Sequence, residues 1–420
     1  MATIAADCRL PAVGLAFAFA AGCATPPAPI APPPGPATAE PLVQVGLAVG
    51  SSAATVGGDA ALMLTRSDGG PLVEIPPAQA WRAIAAPRGV SIAPSSGGPA
   101  VLADRVVVQP VDSQAWVRVN GRSYRGTIVL QPDRTGLTIV NRVRMEAYLL
   151  GVVSAEMGRR AAEDREAVRA QAVVSRTYAL RNLGRWRSEG FDLYATVFDQ
   201  VYGGAGAETP EARDAVESTR GQVLTWNGGP IDSFFFSTCG GRTESGVDVF
   251  RGADVPYLRS VSDQNPNGIA YCSLSPRFRW REEWTGDGLR TILRRSLPTV
   301  LGIQASRVDQ VQDLRIVQRT GSDRVGLLSI TLGHEAIDVE GPKVRQVLRT
   351  PAGEMLRSTA FTLEIERTGA RVSRVVAQGG GNGHGVGLCQ WGAVGRARAG
   401  QNYQQILAAY YGGSELTRWY

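Results

Sequence analysis

Residues 145–179 read MEAYLLGVVSAEMGRRAAEDREAVRAQAVVSRTYA, and this stretch predicts two consecutive helices. The first covers Met145–Met157 and is apolar over most of its length, whereas the second covers Glu163–Trp186 and is rich in arginine. Small or apolar residues recur in the second helix near helical spacing. Those residues are Val168, Ala172, Ser175, Ala179 and Leu183. Two helices set in sequence that is otherwise β-like predict an α+β fold.

The sequence before the helices, residues 42–134, has the pattern of a small β domain. Short β-like runs alternate there with turn signals such as Asp68-Gly69-Gly70, and Asn120-Gly121 predicts a hairpin. The predicted strands are Val43–Val49, Ala61–Thr65, Arg105–Gln109, Ala115–Val119, Thr127–Leu130 and Leu137–Val140. No residue cluster in this N-terminal β region has catalytic character, so we expect it to flank a catalytic part that begins near residue 135.

The sequence after the helices returns to β character and then ends in helices. We predict a β-rich stretch at 198–257, a mixed segment at 287–370 and a glycine-rich loop at 379–387. The predicted elements are the helices Leu289–Leu297, Gln390–Ala399 and Tyr403–Tyr411 and the strands Leu314–Gln318 and Phe361–Glu366. Residues 135–420 are therefore expected to form a β-rich catalytic domain with a few helices around a groove.

The composition excludes some classes of function. The net charge is +6, and Lys343 is the only lysine, so almost all positive charge is arginine. A codon bias towards arginine is the first explanation, and attraction to a polyanion is the second. The arginines are scattered rather than gathered into a basic stripe with interleaved aromatic residues, which argues against a nucleic-acid partner.

The first residues predict export. Arg9 precedes an apolar run, Leu10–Ala21, which is too short to span a bilayer and has the length of a signal-peptide core. The run ends in Ala20-Ala21-Gly22-Cys23, which resembles a lipobox, so residues 1–23 are predicted to be a signal peptide with lipidation at Cys23. Ordinary signal cleavage nearby is the alternative. Residues 24–41 form a proline-rich linker that would hold the protein away from a membrane.

Four ordered segments carry a family resemblance. They are E146-AYLLGVVSAEM-157 with A167-VRAQAVVSRTYA-179, D199-QVYGG-204, S237-TCGGRTE-244 with Pro256-Tyr257-Leu258, and G383-HGVGLCQWGA-393 with Tyr410-Tyr411. Together and in this order they resemble the family of stage II sporulation protein D and the amidase enhancers. The resemblance implies a peptidoglycan-directed domain that cleaves glycan strands already stripped of stem peptides, as a lytic transglycosylase.

The resemblance assigns catalysis to Glu156. This glutamate follows an apolar run, Leu149–Ala155, and an apolar environment raises the pKa of a carboxyl group, as a general acid requires. In a transglycosylase the C6 hydroxyl of the sugar displaces the leaving group, so one carboxyl can act as acid and then as base. Two alternatives remain: a non-catalytic, peptidoglycan-binding amidase enhancer, and a glycoside hydrolase, which would need a second carboxylate.

Other residues of the four segments are expected to bind the glycan. The predicted substrate-binding residues are Arg176, Tyr178, Tyr202, Ser237, Thr238, Glu244, His384 and Gln390. Arg176 would orient a substrate carboxylate or acetamido group, although a salt bridge on an arginine-rich helix is an equal alternative. Glu244 is the candidate second carboxylate. The glycine-rich loop around His384 would line the groove, because glycines permit close approach of backbone to a ligand.

Three cysteines follow the predicted signal peptide and lipidation site. An oxidising compartment favours a disulfide between Cys239 and Cys272, and a zinc site formed by these two, Cys389 and His384 is the alternative. Some relatives bind zinc just before the Gln-Val-Tyr element, but residues 194–199 hold no such ligands, so neither metal nor cofactor is predicted. The expected partners are glycan strands, a cell-wall amidase and, through the lipid anchor, a membrane.

Overall fold

The computed structural model describes residues 39–420. The predicted signal peptide, the lipidation site Cys23 and all but the last residues of the proline-rich linker lie outside the described residues. Within residues 39–420, no helix combines the length and the apolar character needed to cross a membrane.

Residues 42–144 form twelve strands that make up most of two antiparallel sheets. They are β1 (Leu42–Ser51), β2 (Ala54–Gly57), β3 (Leu62–Thr65), β4 (Pro71–Ile75), β5 (Ala80–Ala86), β6 (Gly89–Pro94), β7 (Val101–Ala103), β8 (Val106–Pro110), β9 (Val117–Val119), β10 (Arg122–Tyr124), β11 (Thr127–Pro132) and β12 (Leu137–Arg144). One sheet has the order β10-β9-β2-β5-β6-β7. The other contains β1, β12, β11, β8, β3 and β4 as neighbours in that order. The hairpin predicted at Asn120-Gly121 joins β9 and β10.

The helical part follows β12 without a loop. Its elements are α1 (Met145–Met157), α2 (Arg165–Arg181), β13 (Leu193–Tyr194), α3 (Pro210–Ser218), β14 (Gln222–Trp226), β15 (Gly229–Pro230) and β16 (Phe235–Phe236). Strand β13 adds to the larger sheet beside β1, which makes it seven-stranded. Helix α3 lies in the stretch 198–257, and the prediction of β structure was wrong for these residues. A helix forms there because Thr209 caps its N-terminus and Pro210 occupies its first turn.

Helix α1 is buried on nearly every side. Ten of its thirteen residues are buried, as expected for a helix that is apolar all round. Gly151 allows the ring of Tyr202 to pack against the helix, since a Cβ at this position would lie 2.6 Å from that ring. The helix ends at Gly158, whose φ of 65° suits glycine, and this places Glu156 in the last turn.

The next segment has a hydrophobic core of its own. Its elements are β17 (Arg279–Thr285), α4 (Gly286–Leu301), β18 (Val311–Arg319), β19 (Val325–Leu332), β20 (Glu335–Glu340), α5 (Gly341–Val347), β21 (Phe361–Thr368) and β22 (Arg371–Gly380). They form two three-stranded sheets, β17-β22-β21 and β18-β19-β20, over a core that extends from Trp280 to Ala377. We call residues 279–380 the inserted unit.

The chain then returns to the first core. The last elements are β23 (Leu388–Cys389), α6 (Gln390–Arg398), α7 (Tyr403–Tyr410) and β24 (Glu415–Arg418). Strand β23 pairs in parallel with β16, and β24 pairs with β14. One hydrophobic cluster includes Val43, Leu149 and Tyr411. The N-terminal β region therefore shares its core with the helical part, and the boundary expected near residue 135 lies within the hairpin of β11 and β12.

Candidate functional site

A cleft opens at the C-terminal end of α1. Its volume is about 580 Å³. Most of the side chains that line it come from α1, α2, the loop before Tyr202, the segment around β16, the glycine-rich loop and the first residue of α6. The lining residues are Glu156, Tyr178, Arg185, Val197, Phe198, Asp199, Val201, Phe234, Phe235, Phe236, Ser237, Phe250, Arg277, Asn382, His384 and Gln390. Segments far apart in sequence therefore meet around Glu156.

Glu156 is partly buried and has two donors. One carboxylate oxygen accepts a hydrogen bond from the backbone N–H of Val201 at 3.0 Å, and the other accepts from the side-chain amide of Gln390 at 3.4 Å. Burial raises the pKa of Glu156 above its ordinary value, although these two hydrogen bonds oppose the rise. The position in the last turn of α1 acts in the same direction as burial, because the helix dipole places partial negative charge there. The carboxyl group is thus suited to hold a proton.

A second carboxylate, Asp199, also lines the cleft, but its oxygens are already bonded. The Tyr178 hydroxyl and the Arg185 guanidinium donate to Oδ1 at 3.1 and 3.3 Å. The Trp186 indole and the backbone N–H of Tyr194 donate to Oδ2, both at 2.8 Å. The side chain has no exposed surface. Asp199 is therefore a charged anchor for the cleft wall.

His384 lines the cleft as part of an aromatic wall. Its Nδ1 accepts from the backbone N–H of Val386 at 3.1 Å, so its Nε2 is left to donate to the carbonyl of Phe235 at 2.9 Å. Burial lowers the pKa of His384 to about 4, and Phe236 and Phe250 each lie 5.3 Å from its ring. The imidazole is neutral at physiological pH with both nitrogens engaged. It fixes the loop and does not offer a proton.

The structure brings several of the predicted site residues together. Tyr178, Ser237, His384 and Gln390 line the same cleft as Glu156. Glycan binding by these four side chains stays a prediction.

Arg176 does not belong to the cleft, and its predicted contact with substrate is wrong. Its side chain is fully buried, and its Nε and Nη2 donate to the two oxygens of Glu146 at 2.9 and 2.6 Å. The backbone carbonyls of Gln222 and Val216 and the hydroxyl of Thr219 accept further hydrogen bonds from it. All its donors are therefore engaged inside the protein. The alternative prediction, that Arg176 forms a salt bridge, agrees better with the structure, although this salt bridge is buried and not on the surface.

Three more predicted side chains point away from the cleft. Tyr202 is 3% exposed and donates to Asn141 at 2.9 Å. The hydroxyl of Thr238 is buried against that of Ser275 at 2.8 Å. Glu244 is 2% exposed and accepts from the backbone of Ser245 at 2.8 Å and from Thr320 at 2.6 Å. Glu244 is therefore not a second carboxylate of the cleft, and these three side chains support the walls from behind.

The predicted disulfide is also absent. The sulfurs of Cys239 and Cys272 are 3.3 Å apart and belong to free thiols, whereas a disulfide bond is about 2.05 Å long. Cys389 is a third free thiol beside them, and the fourth group of the cluster is Asp263, not His384.

Other cleft residues were not singled out from the sequence. Val197 and Phe198 are 75% and 67% exposed at the rim, and Arg277 and Asn382 contribute polar groups to the lining. The position of Phe198, directly before the Asp199-Gln200-Val201-Tyr202 element, was the available signal. The sequence pattern did not distinguish an exposed phenylalanine from a core residue.

Comparison with known proteins agrees with the segments around Glu156. A family model described as SpoIID, Stage II sporulation protein, matches residues 133–226, which include α1 and Glu156. This part of the chain is therefore similar to the SpoIID family. A second family model, described as a domain of unknown function (DUF8618), matches residues 270–387 and so covers the whole of the inserted unit.

The relatives are similar to this chain over most of its length. An uncharacterized protein of Brachyspira hyodysenteriae is 29% identical over 73% of the chain and 75% of its own length. Stage II sporulation protein D of Bacillus subtilis is 29% identical over 68% of the chain and 77% of its own length. The amidase enhancer of the same organism is 28% identical over 72% of the chain, but the chain spans only 45% of that relative.

Proposed function

We propose that this protein is a member of the SpoIID family and acts on the bacterial cell wall as a lytic transglycosylase that cleaves MurNAc–GlcNAc linkages in peptide-stripped glycan strands. The names of its relatives support a role connected with sporulation or with an amidase. Export to the cell envelope and attachment to the membrane through Cys23 are part of the proposal and rest on the sequence of residues 9–23.

One observation carries the catalytic part of the proposal. Glu156 and Asp199 are the two carboxylates that line the cleft, and Asp199 already accepts four hydrogen bonds with no exposed surface. The Glu156 carboxyl group lines the cleft and has a raised pKa. Hydrolysis of a glycosidic bond commonly uses a pair of carboxyl groups, so a single free carboxyl favours transglycosylation over hydrolysis.

The reaction needs one proton to be delivered and one to be collected. Protonated Glu156 donates its proton to the glycosidic oxygen as the bond from the MurNAc C1 breaks, and the GlcNAc leaves with a hydroxyl. The C6 hydroxyl of the same MurNAc then bonds to C1, and ionised Glu156 takes the proton that this hydroxyl loses. The product is a 1,6-anhydro sugar, no water is consumed, and Glu156 ends protonated as it began.

The lining of the cleft has the chemistry to bind such a strand. Exposed Phe198 and partly buried Phe250 offer apolar faces to sugar rings, while Ser237 and Asn382 offer hydrogen-bonding groups. A MurNAc without its stem peptide carries a free lactyl carboxylate, and Arg277 is an exposed cation in the lining that can pair with it.

The test is incubation of the purified chain with peptide-free glycan strands, followed by mass spectrometry of the products. We expect 1,6-anhydro ends from the natural protein and a loss of about 10²–10⁴-fold in rate for Glu156→Gln, which removes the acid and keeps the shape. Glu217→Gln removes the same charge from an exposed position and should leave the rate unchanged. Strand binding, measured by co-sedimentation, should survive Glu156→Gln.

The match to the amidase enhancer favours a second candidate, in which the cleft binds glycan strands without cutting them and assists a cell-wall amidase. Intact strands after incubation, with binding retained, would support that candidate and contradict the first. New reducing ends without anhydro sugars would instead indicate hydrolysis and would require a second carboxylate.

A further inference from the structure

A cluster of four buried polar side chains lies behind the cleft. The thiols of Cys239, Cys272 and Cys389 and a carboxylate oxygen of Asp263 all lie within 4.8 Å of one another, and all four residues are buried. Cys239 follows β16, Cys272 lies in the short 3-10 helix Tyr271–Leu274, and Cys389 ends β23. Four segments thus converge on one point in the main core.

Backbone N–H groups point at the sulfurs. Cys389 Sγ accepts from the backbone N–H of Cys239 at 3.1 Å and of Gly392 at 3.2 Å, and Cys239 Sγ accepts from that of Gly241 at 3.3 Å. Gly240 and Gly241 have φ values of 81° and 116°, which a residue with a side chain rarely adopts. Donors aimed at sulfur stabilise the thiolate, and the thiolate is the form that binds metals.

Asp263 is held with one oxygen free for the cluster. Its Oδ1 accepts from the Arg396 guanidinium at 3.0 Å and the Tyr410 hydroxyl at 2.8 Å, whereas Oδ2 is 3.1 Å from Cys239 Sγ. A Cβ at position 392 would lie 2.1 Å from that Oδ2, so Gly392 is needed for the close approach. Partners that fix the outer atom of a ligand are typical of metal centres.

Two buried arginines lie next to the cluster. Besides Arg396, Arg324 of the inserted unit is 2% exposed and donates through Nη2 to the carbonyl of Cys239 at 2.8 Å. Its Nε and Nη1 have no hydrogen-bond partner within residues 39–420. Three thiolates and one carboxylate carry four negative charges, which one divalent cation and these two guanidinium groups would balance. Buried charge is tolerated when it is compensated in this way.

We propose that Cys239, Cys272, Cys389 and Asp263 bind one zinc ion. A tetrahedral centre with Zn–S bonds of about 2.3 Å separates its sulfur ligands by roughly 3.8 Å. All four ligand atoms lie within 4.8 Å of one another, and the sulfurs of Cys239 and Cys272, now 3.3 Å apart, would have to separate slightly. Three soft thiolates favour zinc over calcium or magnesium, which prefer oxygen ligands. Binding releases the three thiol protons to solvent.

The proposed site is closed and structural. Four protein ligands leave no position for substrate, and the cluster is separate from the side chains that line the cleft. Its effect on the cleft is indirect, since Cys389 directly precedes Gln390, which donates to Glu156. Zinc would join β16 to β23 and fix the start of α6.

The first measurement uses the full chain as purified, without added metal. We expect about one zinc per chain by mass spectrometry of the metal content, and peptide mapping should find all three thiols alkylated after unfolding with a chelator. Replacement of zinc by Co²⁺ should give thiolate-to-cobalt charge-transfer absorption in the near ultraviolet and tetrahedral d–d bands in the visible.

Matched variants locate the metal. Cys272→Ser should lower the zinc content about tenfold or more, because it removes a ligand, whereas Ser273→Ala at the exposed neighbouring position should retain it. Glu156→Gln should also retain zinc, so loss of glycan cleavage and loss of metal are separable. If Cys272→Ser fails to fold, the wild-type metal content and cobalt spectrum decide.

Three outcomes would overturn the proposal. They are a Cys239–Cys272 disulfide in the mapped peptides, reduced thiols that take up no zinc or cobalt, and a zinc content unchanged by Cys272→Ser in a folded protein.

Discussion

The two ends of α1 hold glutamates in opposite electrostatic environments. At the first turn, Glu146 accepts two hydrogen bonds from Arg176, one from the backbone of Gly221 and one from Tyr420. Burial alone would raise the pKa of Glu146, but these bonds outweigh it and lower the pKa. At the last turn, Glu156 has two uncharged donors, and burial raises its pKa.

This difference separates a structural carboxylate from the proposed general acid. The N-terminal end of a helix favours negative charge and the C-terminal end disfavours it, so helix direction adds to the effect of the partners. Glu146 is held ionised and joins α1 to α2, whereas Glu156 is poised to carry a proton at the edge of the cleft. The same helix therefore supplies both the anchor and the candidate acid.

The largest effect should come from breaking the anchor. Glu146→Gln leaves the fully buried Arg176 guanidinium without a counter-charge, and loss of one partner of a buried ion pair costs about 3–5 kcal/mol. Chemical denaturation at neutral pH should show this loss in the free energy of unfolding. The lowered pKa of Glu146 stabilises the fold above the unfolded-state pKa, and that contribution is lost as the pH falls through the folded-state pKa. The difference between variant and wild type should therefore shrink in acid.

Arg181→Met is the matched control, because Arg181 pairs with Asp232 at 3.0 Å with both side chains partly exposed. It should cost about 1 kcal/mol or less. If Glu146→Gln costs no more than this control, the Arg176–Glu146 pair is not the anchor that the contrast requires.

The helices were the part of the fold that the sequence predicted well. The predicted bounds of α1, Met145–Met157, are confirmed, because its apolar run is long and is closed by glycine. The second helix ends at Arg181, earlier than predicted, since Gly184 has a φ of 78° and turns the chain. The separate core of residues 279–380 was not predicted, because periodicity identifies an apolar face but not the face that it packs against.

The site was predicted in part for the same reason. The order of the motifs identified the segments around Glu156. It did not show whether the side chain of each residue lines the cleft or is buried in the core. Arg176 pairs with a glutamate thirty residues earlier. Asp263, outside all four motifs, completes the cysteine cluster through the fold. The spacing of residues within a short motif holds no information about contacts between residues that are far apart in the sequence.

A smaller effect should follow from changing the donors of Glu156. The hydrogen bond from Gln390 lowers the pKa of Glu156, so Gln390→Leu should raise that pKa further. The general acid would stay protonated to higher pH, and the alkaline limb of the cleavage profile should move up. The rate at the optimum should change by less than about tenfold, since one hydrogen bond contributes about 0.5–1.5 kcal/mol.

Gln404→Leu, at an exposed position of α7, is the control and should leave the profile in place. A profile for Gln390→Leu that is unshifted, or that moves to lower pH, would mean that Gln390 does not set the protonation of Glu156.

The smallest effect concerns the contribution of Glu156, at the C-terminal end of α1, to the stability of the fold. Because the folded protein raises the pKa of Glu156, it binds that proton more tightly than the unfolded chain does. The free energy of unfolding of the wild type therefore carries a penalty that grows as the pH rises from the unfolded-state pKa to the folded-state pKa, and then levels off. Glu156→Gln does not titrate, and its amide oxygen can still accept from Val201. It should be more stable than wild type at neutral pH, by at most about 1 kcal/mol, with the gain disappearing in acid. Thermal unfolding of both proteins across pH measures this difference in stability.

A variant that is less stable than wild type at neutral pH would mean that the Glu156 carboxylate stabilises the fold as Glu146 does, and the contrast between the two ends of α1 would be lost.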